Sequence, residues 1–298
     1  MDILSIYYNL IPVSLAQGAV YAFVAIGVMI PFRLLSLPDL TAEGSFPLGA
    51  AVAAALLANG MGIMPAMGLA LLAGALAGAL TAVIHVFFKV TSLLAGIIVL
   101  TMMFSINIRV MGKPNTALFS HDTLFTILLN ADGGTPITQF AVLSVMLAAL
   151  CLLLYWFLHT ELGLALRAVG SNQTMARAQG LSTTLYIIAG LAGAGALAAL
   201  GGSVMAQYQS YADVNMGVGV LVIGLAATIL GEAILGGSTL ARQILAPVVG
   251  SLLYFQFVAI ALSLGFKPSD LKLLTGLFVL FALALPMIRS KFKRNSSR

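Results

Sequence analysis

Apolar runs of about 20 residues constrain the fold of this chain more than any other feature of its sequence. A run of that length spans the roughly 30 Å hydrocarbon layer of a bilayer when it forms a helix. The 298 residues are 61% hydrophobic and 8% charged, whereas a soluble domain carries about a quarter charged residues. A water-soluble core cannot bury this much apolar surface. The sequence therefore predicts an all-α polytopic membrane protein.

The apolar runs predict about nine transmembrane helices, separated by polar breaks. They lie at about 10–32, 44–60, 63–88, 92–111, 136–158, 185–207, 217–235, 243–264 and 271–288. Most connections between them are short, so we expect a single transmembrane domain over residues 1–298. Two connections are longer, at 112–135 and at about 160–184.

Basic residues predict the orientation of the helices in the membrane. The C-terminal segment 289–298, RSKFKRNSSR, carries five basic residues. Such a segment is expected in the cytoplasm, because cytoplasmic loops and tails are enriched in lysine and arginine. With nine spans the N-terminus is then outside, the segment 160–184 inside and the segment 112–135 outside.

A faint internal repeat suggests two related halves. LLAGIIVL at 93–100 matches LLTGLFVL at 273–280, and upstream Asp39 with GAA at 49–51 matches Asp213 with GLAA at 224–227. Asp39 follows the first predicted span on the inside, whereas Asp213 follows the sixth on the outside. The halves would therefore cross the membrane in opposite directions. Inverted repeats with interrupted helices form the central site of many transporters, so the pattern predicts an inverted pseudo-repeat.

The stretch PDLTAEGSF at 38–46 predicts a break at the start of the second span. Pro38 prevents a regular helix from continuing out of the first span. Asp39 or Thr41 is placed to cap a new helix, and Glu43 in its first turn suits the positive helix end. A carboxylate facing lipid is costly. The motif is therefore either a capped connection at the membrane surface or a broken segment beside a translocation path.

Polar residues in and near the predicted spans are candidates for lining such a path. Asn107 and Gln207 stand out because an unpaired amide inside a membrane is costly, although hydrogen bonds between helices are an alternative role for each. The candidate path residues are Asp39, Thr41, Glu43, Ser45, Asn107 and Gln207. Near the outer mouth, the candidates for docking an external protein are Arg109, Lys113, Asp122 and Asp132.

The long inner connection carries the most specific pattern. Its sequence at 160–186, TELGLALRAVGSNQTMARAQGLSTTLY, is polar and basic, with helix-forming residues on both sides of a Gly-Ser-Asn break. Apolar residues along it predict an amphipathic helix that docks onto another protein. A solvated loop is the alternative, but the connection is long for a bundle whose other inner turns are short.

This inner segment resembles the coupling region of permease subunits of ATP-binding-cassette importers, in the branch that contains the branched-chain amino-acid and ribose permeases. LPDLTAEGSFPLGAA at 37–51 and IGLAATILGEAILGG at 223–237 resemble the same branch. PDLTAEGSFPLG is most similar to the subgroup paired with tryptophan/tyrosine-type substrate-binding proteins. The strict EAA form of the coupling motif found in other importer branches is replaced by LRAVGSNQTMARAQG.

The resemblance implies an ATP-driven, binding-protein-dependent importer of amino acids, aromatic ones among them, in the bacterial inner membrane. The implied partners are a second permease copy in a homodimer, two cytoplasmic ATP-binding subunits, an external substrate-binding protein and the lipid bilayer, without nucleic acid. ATP and Mg would be bound by the partner ATPase, with no cofactor on this chain. The implied ATPase-coupling residues are Leu162, Gly163, Arg167, Gly170, Ser171, Asn172 and Gly180.

Motifs for chemistry on this chain are absent from the sequence. There is no GxxxxGK[ST] loop, so this chain is not expected to hydrolyse ATP itself. There is also no HExxH or GxSxG motif, which argues against a membrane-embedded enzyme, and no histidine has metal-ligand spacing. An ion-coupled secondary transporter of a small polar solute remains an alternative. A nucleoside or sugar substrate remains an alternative for the importer.

Overall fold

The computed structural model describes residues 3–129 and 133–267, with a few further positions between 270 and 280. The described part is almost entirely helical. Its α-helices are α1 Ile3–Met29, α2 Thr41–Ala58, α3 Ile63–Phe88, α4 Ser92–Met111, α5 Leu124–Leu129, α6 Pro136–His159, α7 Glu161–Ser171, α8 Gln173–Ala178, α9 Thr183–Gln209, α10 Val220–Leu235 and α11 Leu240–Ser263. The short strands are β1 Asn115–Ala117 and β2 Tyr211–Asp213.

The long helices coincide with the predicted spans. Seven helices of the described part are long and apolar enough to cross a membrane, and α10 is a shorter apolar helix of 16 residues. α3 and α4 have the predicted bounds, α1 begins earlier than expected, and the other ends differ by a few residues. An all-α polytopic fold is therefore confirmed. The ninth predicted span, 271–288, lies mostly outside the described residues, and the basic tail 289–298 lies outside them altogether.

Helix packing follows the inverted repeat that the sequence suggested. The contact of α3 with α9 has its counterpart in the contact of α11 with α1, and the contact of α2 with α9 has its counterpart in that of α10 with α1. α1 and α9 run antiparallel, because Gly27 lies against Ala194 whereas Val24 lies against Gly201. The sets α1–α3 and α9–α11 therefore pass through the bundle in opposite directions.

Small residues let the helices of the two sets approach closely. A Cβ atom added at Gly74 of α3 would lie 2.3 Å from the carbonyl oxygen of Gly195 in α9, and one at Gly78 would lie 2.0 Å from that of Leu191. Both distances are far below van der Waals contact, so the two backbones touch directly. Close packing through small residues is the usual way that membrane helices associate. It fixes the position of α3 against α9.

A two-stranded antiparallel sheet closes one end of the bundle. β1 follows α4 and β2 follows α9, and the strands pair with Asn115 opposite Asp213. Beneath them, Leu118 and Ala212 pack with Ala50 and Ala54 of α2 in a small apolar cluster. The sheet thus joins the segments that follow α4 and α9 over the end of α2.

Candidate functional site

The first span ends in a break. After α1 the chain forms a π-helical turn, Ile30–Leu34 (the π turn), and residues 36–40 have no regular structure before α2 begins at Thr41. Ser36 adopts a left-handed backbone conformation with φ of 55°. The break that Pro38 predicted is therefore confirmed. π-helical turns occur frequently at functional sites.

Asp39 is enclosed within this break. Its side chain is 3% exposed, and its Oδ1 accepts hydrogen bonds from the backbone N–H of Thr41, at 2.9 Å, and from the Thr41 hydroxyl. The Thr41 hydroxyl also lies 2.6 Å from that of Thr81 in α3. Burial raises the pKa of the Asp39 carboxyl, and the two hydrogen bonds from Thr41 oppose that rise. The N-cap position itself is held by Leu40 without a side-chain hydrogen bond, so neither predicted residue occupies it.

The second set of helices repeats this local geometry. The carboxylate of Asp213 accepts the backbone N–H of Asn215 at 2.7 Å, just as that of Asp39 accepts the N–H of Thr41 at 2.9 Å. Each aspartate precedes the shorter helix of its set, which has 18 residues in α2 and 16 in α10. The pair of aspartates matched in the sequence repeat therefore forms the same kind of turn before a shortened helix.

Glu43 joins the two shortened helices. It lies in the first turn of α2, as predicted, and it is half-buried. Its Oε1 accepts the backbone N–H of Gly219 at 3.2 Å. Gly219 is the N-cap of α10. The carboxylate therefore occupies the positive N-terminal end of α10, where a negative charge is stabilised.

A cavity of about 250 Å³ opens beside Glu43 (the Glu43 cavity). Its walls come from α2, from the middle of α4 and from the segment that precedes α10. Leu100 and Phe104 contribute apolar surface, and Asn107 also lines the cavity. Two of the predicted path residues, Glu43 and Asn107, therefore lie on one cavity.

Asn107 has no hydrogen-bond partner within the described parts of the chain. Its side chain is 1% exposed, yet neither Nδ2 nor Oδ1 is paired. A buried polar group without a partner costs about 1–3 kcal/mol. Such groups are rare and call for a specific explanation. Hydrogen bonds between helices, the alternative role that the sequence left open, do not provide one, because Asn107 forms none within the described residues.

The remaining candidate path residues do not line the Glu43 cavity. Gln207 is tied into the bundle, since its Oε1 accepts the N–H of Leu124 at 2.9 Å and its Nε2 donates to the carbonyl of Ser203 at 3.2 Å. Ser45 is buried in α2 with an unpaired hydroxyl, as far as the structure describes its surroundings. Gln207 thus holds α5 against α9.

An ion pair connects the other end of α10 to the π turn. Arg33 of the π turn pairs with Glu232 in the last turns of α10. Both line a cavity of about 480 Å³ with Phe32 and Thr228. Neither residue is among the site residues predicted from the sequence. Opposite charges at the predicted inner ends of spans one and seven were the signal that could have found it.

The segment 160–184, which is predicted to lie inside and is called the coupling segment after its predicted role, folds as two short helices. The hydroxyl of Thr160 accepts the N–H of Gly163 at the start of α7, and the side chain of Asn172 accepts the N–H of Met175 at 3.0 Å at the start of α8. Gly180 follows α8 with φ of 81°. The predicted amphipathic helix is therefore present as two helices, and the solvated-loop alternative is wrong. The interruption is at Asn172 alone, because Gly170 and Ser171 still belong to α7.

The coupling segment is amphipathic. Leu166, Val169 and Ala176 are buried towards the bundle. Leu162 and Met175 are instead 57% and 64% exposed. Large apolar side chains exposed on a polar, basic segment are typical of a docking surface for another protein.

The coupling segment presses directly on the break. A Cβ atom added at Gly170 would lie 1.7 Å from the carbonyl oxygen of Leu34 and 2.8 Å from the Cα of Leu35. Arg167 and Ser171 line a small polar cavity between α7 and this part of the chain. Gly163 permits a second close approach, to the backbone of Leu158 at the end of α6. α7 is therefore held by backbone contact to both α6 and the π turn.

The residues predicted to dock an external protein are close to β1 in sequence, at the end of the bundle opposite to the coupling segment. Arg109 in the last turn of α4 and Lys113 just after it are exposed, and so is Asp122 before α5. Asp132 lies outside the described residues. Among the side chains that the structure describes, no group of His, Cys, Asp and Glu is placed to hold a metal ion.

Broken helices in an inverted repeat, a largely apolar cavity that holds one carboxylate and an amphipathic coupling segment define a membrane permease. The chain belongs to the family described as branched-chain amino acid transport system, permease component, which matches residues 11–286. It is similar to the tyrosine transport system permease protein of Clostridioides difficile (strain R20291), with 37% identity over 285 residues, 95% of this chain and 94% of the relative. It is also similar to the ribose import permease protein RbsC of Escherichia coli (strain K12), with 29% identity over 265 residues, 87% of this chain and 77% of the relative.

No solved structure is a significant match to the chain. The resemblance to importer permeases that the coupling segment indicated is confirmed by the family. The protein is accordingly a multi-pass permease of the bacterial inner membrane, as predicted. Both of these relatives are named as transport permeases.

Proposed function

We propose that this chain is the permease subunit of an ATP-driven, binding-protein-dependent importer whose substrates are amino acids, aromatic ones among them. The observation that carries the proposal is the backbone contact between Gly170 of the coupling segment and Leu34 of the π turn. It connects a surface suited to docking another protein with the break between α1 and α2. The relative named for tyrosine transport supports the substrate class.

Motion of the coupling segment would reach both shortened helices. Gly170 rests on the Leu34 carbonyl with no side chain between the two backbones, so a displacement of α7 pushes on the π turn. From there residues 35–40 lead directly into α2. Arg33 of the same turn is paired with Glu232 of α10. A two-state change in this turn would therefore bias α2 and α10 together, as coupling between distant sites requires.

The source of the motion is a separate ATPase in this proposal. Two cytoplasmic ATP-binding subunits would hold ATP and Mg and dock on the exposed side chains of the coupling segment, Leu162 and Met175 among them. A second permease copy would complete the translocation path. The external binding protein would dock near Arg109, Lys113 and Asp122, which are exposed.

A sugar is the second candidate substrate, since the chain is also similar to a ribose import permease. That relative has lower identity and shares less of its length with this chain than the tyrosine permease does. The apolar wall of the Glu43 cavity, formed in part by Leu100 and Phe104, also suits an aromatic side chain better than a sugar. We therefore place amino acids first.

Co-purification followed by reconstitution tests the proposal. The tagged chain is extracted gently from its native membrane, its partners are identified by mass spectrometry, and the complex with its binding protein is placed in liposomes. We expect an ATPase subunit in equal amount and uptake of tyrosine or tryptophan that requires internal ATP. Uptake of ribose alone would shift the substrate to the second candidate. Uptake driven by an ion gradient in a preparation that lacks an ATPase would establish a secondary transporter instead.

A further inference from the structure

The only charge in the wall of the Glu43 cavity, among the residues that the structure places there, is negative. Of the residues that the structure places in its wall, Glu43 is the only ionisable one. The backbone N–H of Gly219 at the start of α10 stabilises its negative charge. A carboxylate offers about four acceptor positions, so one backbone donor leaves it able to accept further hydrogen bonds. The cavity is thus prepared for a positively charged donor.

Asn107 supplies the second, independent feature. Its amide is buried in the same wall, and both its donor and its acceptor atoms are unpaired in the described structure. Oδ1 can accept a hydrogen bond from an ammonium group, and Nδ2 can donate one to a carboxylate. A ligand that carries both groups would satisfy both atoms. A bare metal cation would satisfy only the oxygen.

We propose that Glu43 and Asn107 form a transient binding site for the primary ammonium group of the transported solute. The inference rests on the proposed function, which it deepens by assigning the part of the amino acid that the permease itself recognises. The solute's ammonium group binds the Glu43 carboxylate and Asn107 Oδ1. Its apolar body packs against Leu100 and Phe104, which lie on the same cavity.

The site at Glu43 can serve transport because it lies between the two shortened helices, α2 and α10. The Glu43 carboxylate bridges from the first turn of α2 to the N-cap of α10, across 176 residues of sequence. An ammonium group bound at the free acceptor positions draws negative charge away from the N–H of Gly219 and weakens its hydrogen bond to Oε1. Solute binding therefore loosens the contact between the two shortened helices, and its departure restores that contact.

Uptake by the full complex in proteoliposomes provides the first test. Glu43→Gln keeps an oxygen that accepts the Gly219 N–H but removes the charge, and we expect tyrosine uptake to fall about ten- to a hundredfold, the range for a lost hydrogen bond to a charged group. Asn107→Ala should also lower uptake. Asn59→Ala is the matched control, because the Asn59 amide donates to the carbonyl of Ala55 in its own helix. We expect the control to match the wild type.

Cysteine labelling tests binding without relying on transport. Cys151 is the single cysteine of the chain, so Cys151→Ala gives a background in which Asn107→Cys or Thr101→Cys is the one reactive position. We expect a cationic methanethiosulfonate reagent to label the cavity cysteine faster than an anionic one, and Glu43→Gln to remove that preference. Tyrosine should slow labelling, whereas sodium chloride should not. Thr101 lines the rim of the same cavity and serves if the change at Asn107 prevents folding.

The outcomes separate this inference from the proposed function. A wild-type complex that transports no amino acid would overturn the proposed function. Tyrosine uptake by Glu43→Gln equal to that of the Asn59→Ala control would overturn the site alone. Labelling with no preference for the cationic reagent, protection by sodium alone, or no labelling at either cavity position would also overturn it.

Discussion

Replacing Gly170 with alanine isolates the contact through which the coupling segment acts on the break. The added Cβ would lie 1.7 Å from the Leu34 carbonyl oxygen, and real Cβ atoms are essentially never closer than 3.0 Å to such an atom. The difference, 3.0 − 1.7 = 1.3 Å, is the least by which the oxygen and α7 must separate. Neither partner is a flexible side chain, so the backbone itself has to move.

The energetic cost of that movement sets the expected effect. Overpacking of a close contact costs about 1–3 kcal/mol. If the cost falls on the state in which α7 presses on the π turn, coupling between ATP hydrolysis and transport weakens by about five- to 150-fold. We expect ATP hydrolysis by the reconstituted complex to continue while the solute transported per ATP falls.

The assay measures tyrosine uptake and phosphate release by the same proteoliposomes. Gly193→Ala in α9 is the matched control, because a Cβ at that position would have nothing within 4 Å. Recovery of the ATPase with each variant shows whether docking is retained. Gly170→Pro, which also distorts α7, should uncouple more severely or prevent docking.

Two results would refute the reasoning. If Gly170→Ala transports as much tyrosine per ATP as Gly193→Ala, the contact with Leu34 does not transmit the motion. If both alanine variants lose transport equally, the loss reflects general packing of the bundle. Either result would remove the main support for coupling through the π turn.

Further variants probe the break and the coupling segment. Asp39→Asn removes the charge that strengthens the hydrogen bonds from Thr41. We expect about tenfold lower uptake with assembly intact. Unchanged uptake would show that Asp39 serves only to cap the connection between α1 and α2. Arg33→Glu should lower uptake because it breaks the pair with Glu232, and adding Glu232→Arg should restore it; no recovery in the double variant would argue against the pair. Asn172→Ala removes the N-cap of α8, worth about 1 kcal/mol, and should reduce ATPase co-purification relative to Ser144→Ala, a position in α6; equal recovery would contradict that role.

Local properties of the sequence determined the helices. Hydrocarbon thickness fixes the length of an apolar run, and backbone groups in lipid must be satisfied within the helix. The bounds of α3 and α4 were therefore predictable to the residue. Pro38 predicted the break for a similarly local reason, since its ring excludes a regular helix. The sequence predicted an amphipathic helix in the coupling segment, and the structure divides it into α7 and α8 at Asn172, whose side chain caps α8.

Only the tertiary structure decided which polar groups meet. Glu43 contacts Gly219 across 176 residues, and Arg33 contacts Glu232 across 199. Such pairings depend on how the helices cross and rotate against one another. Small-residue contacts such as Gly74 against Gly195 set that arrangement, and no local pattern specifies it.

Asn107 and Gln207 show most clearly which properties the sequence determined and which the tertiary structure decided. Both are amides in spans and looked equivalent in the sequence. In the fold, Gln207 is paired with Leu124 and Ser203, whereas Asn107 lines the Glu43 cavity and its amide has no partner among the described residues. Hydropathy determined that each lies in the bundle. Whether a buried amide is satisfied depends on neighbours from other helices, and the packing of the whole bundle supplied them to one amide and not to the other.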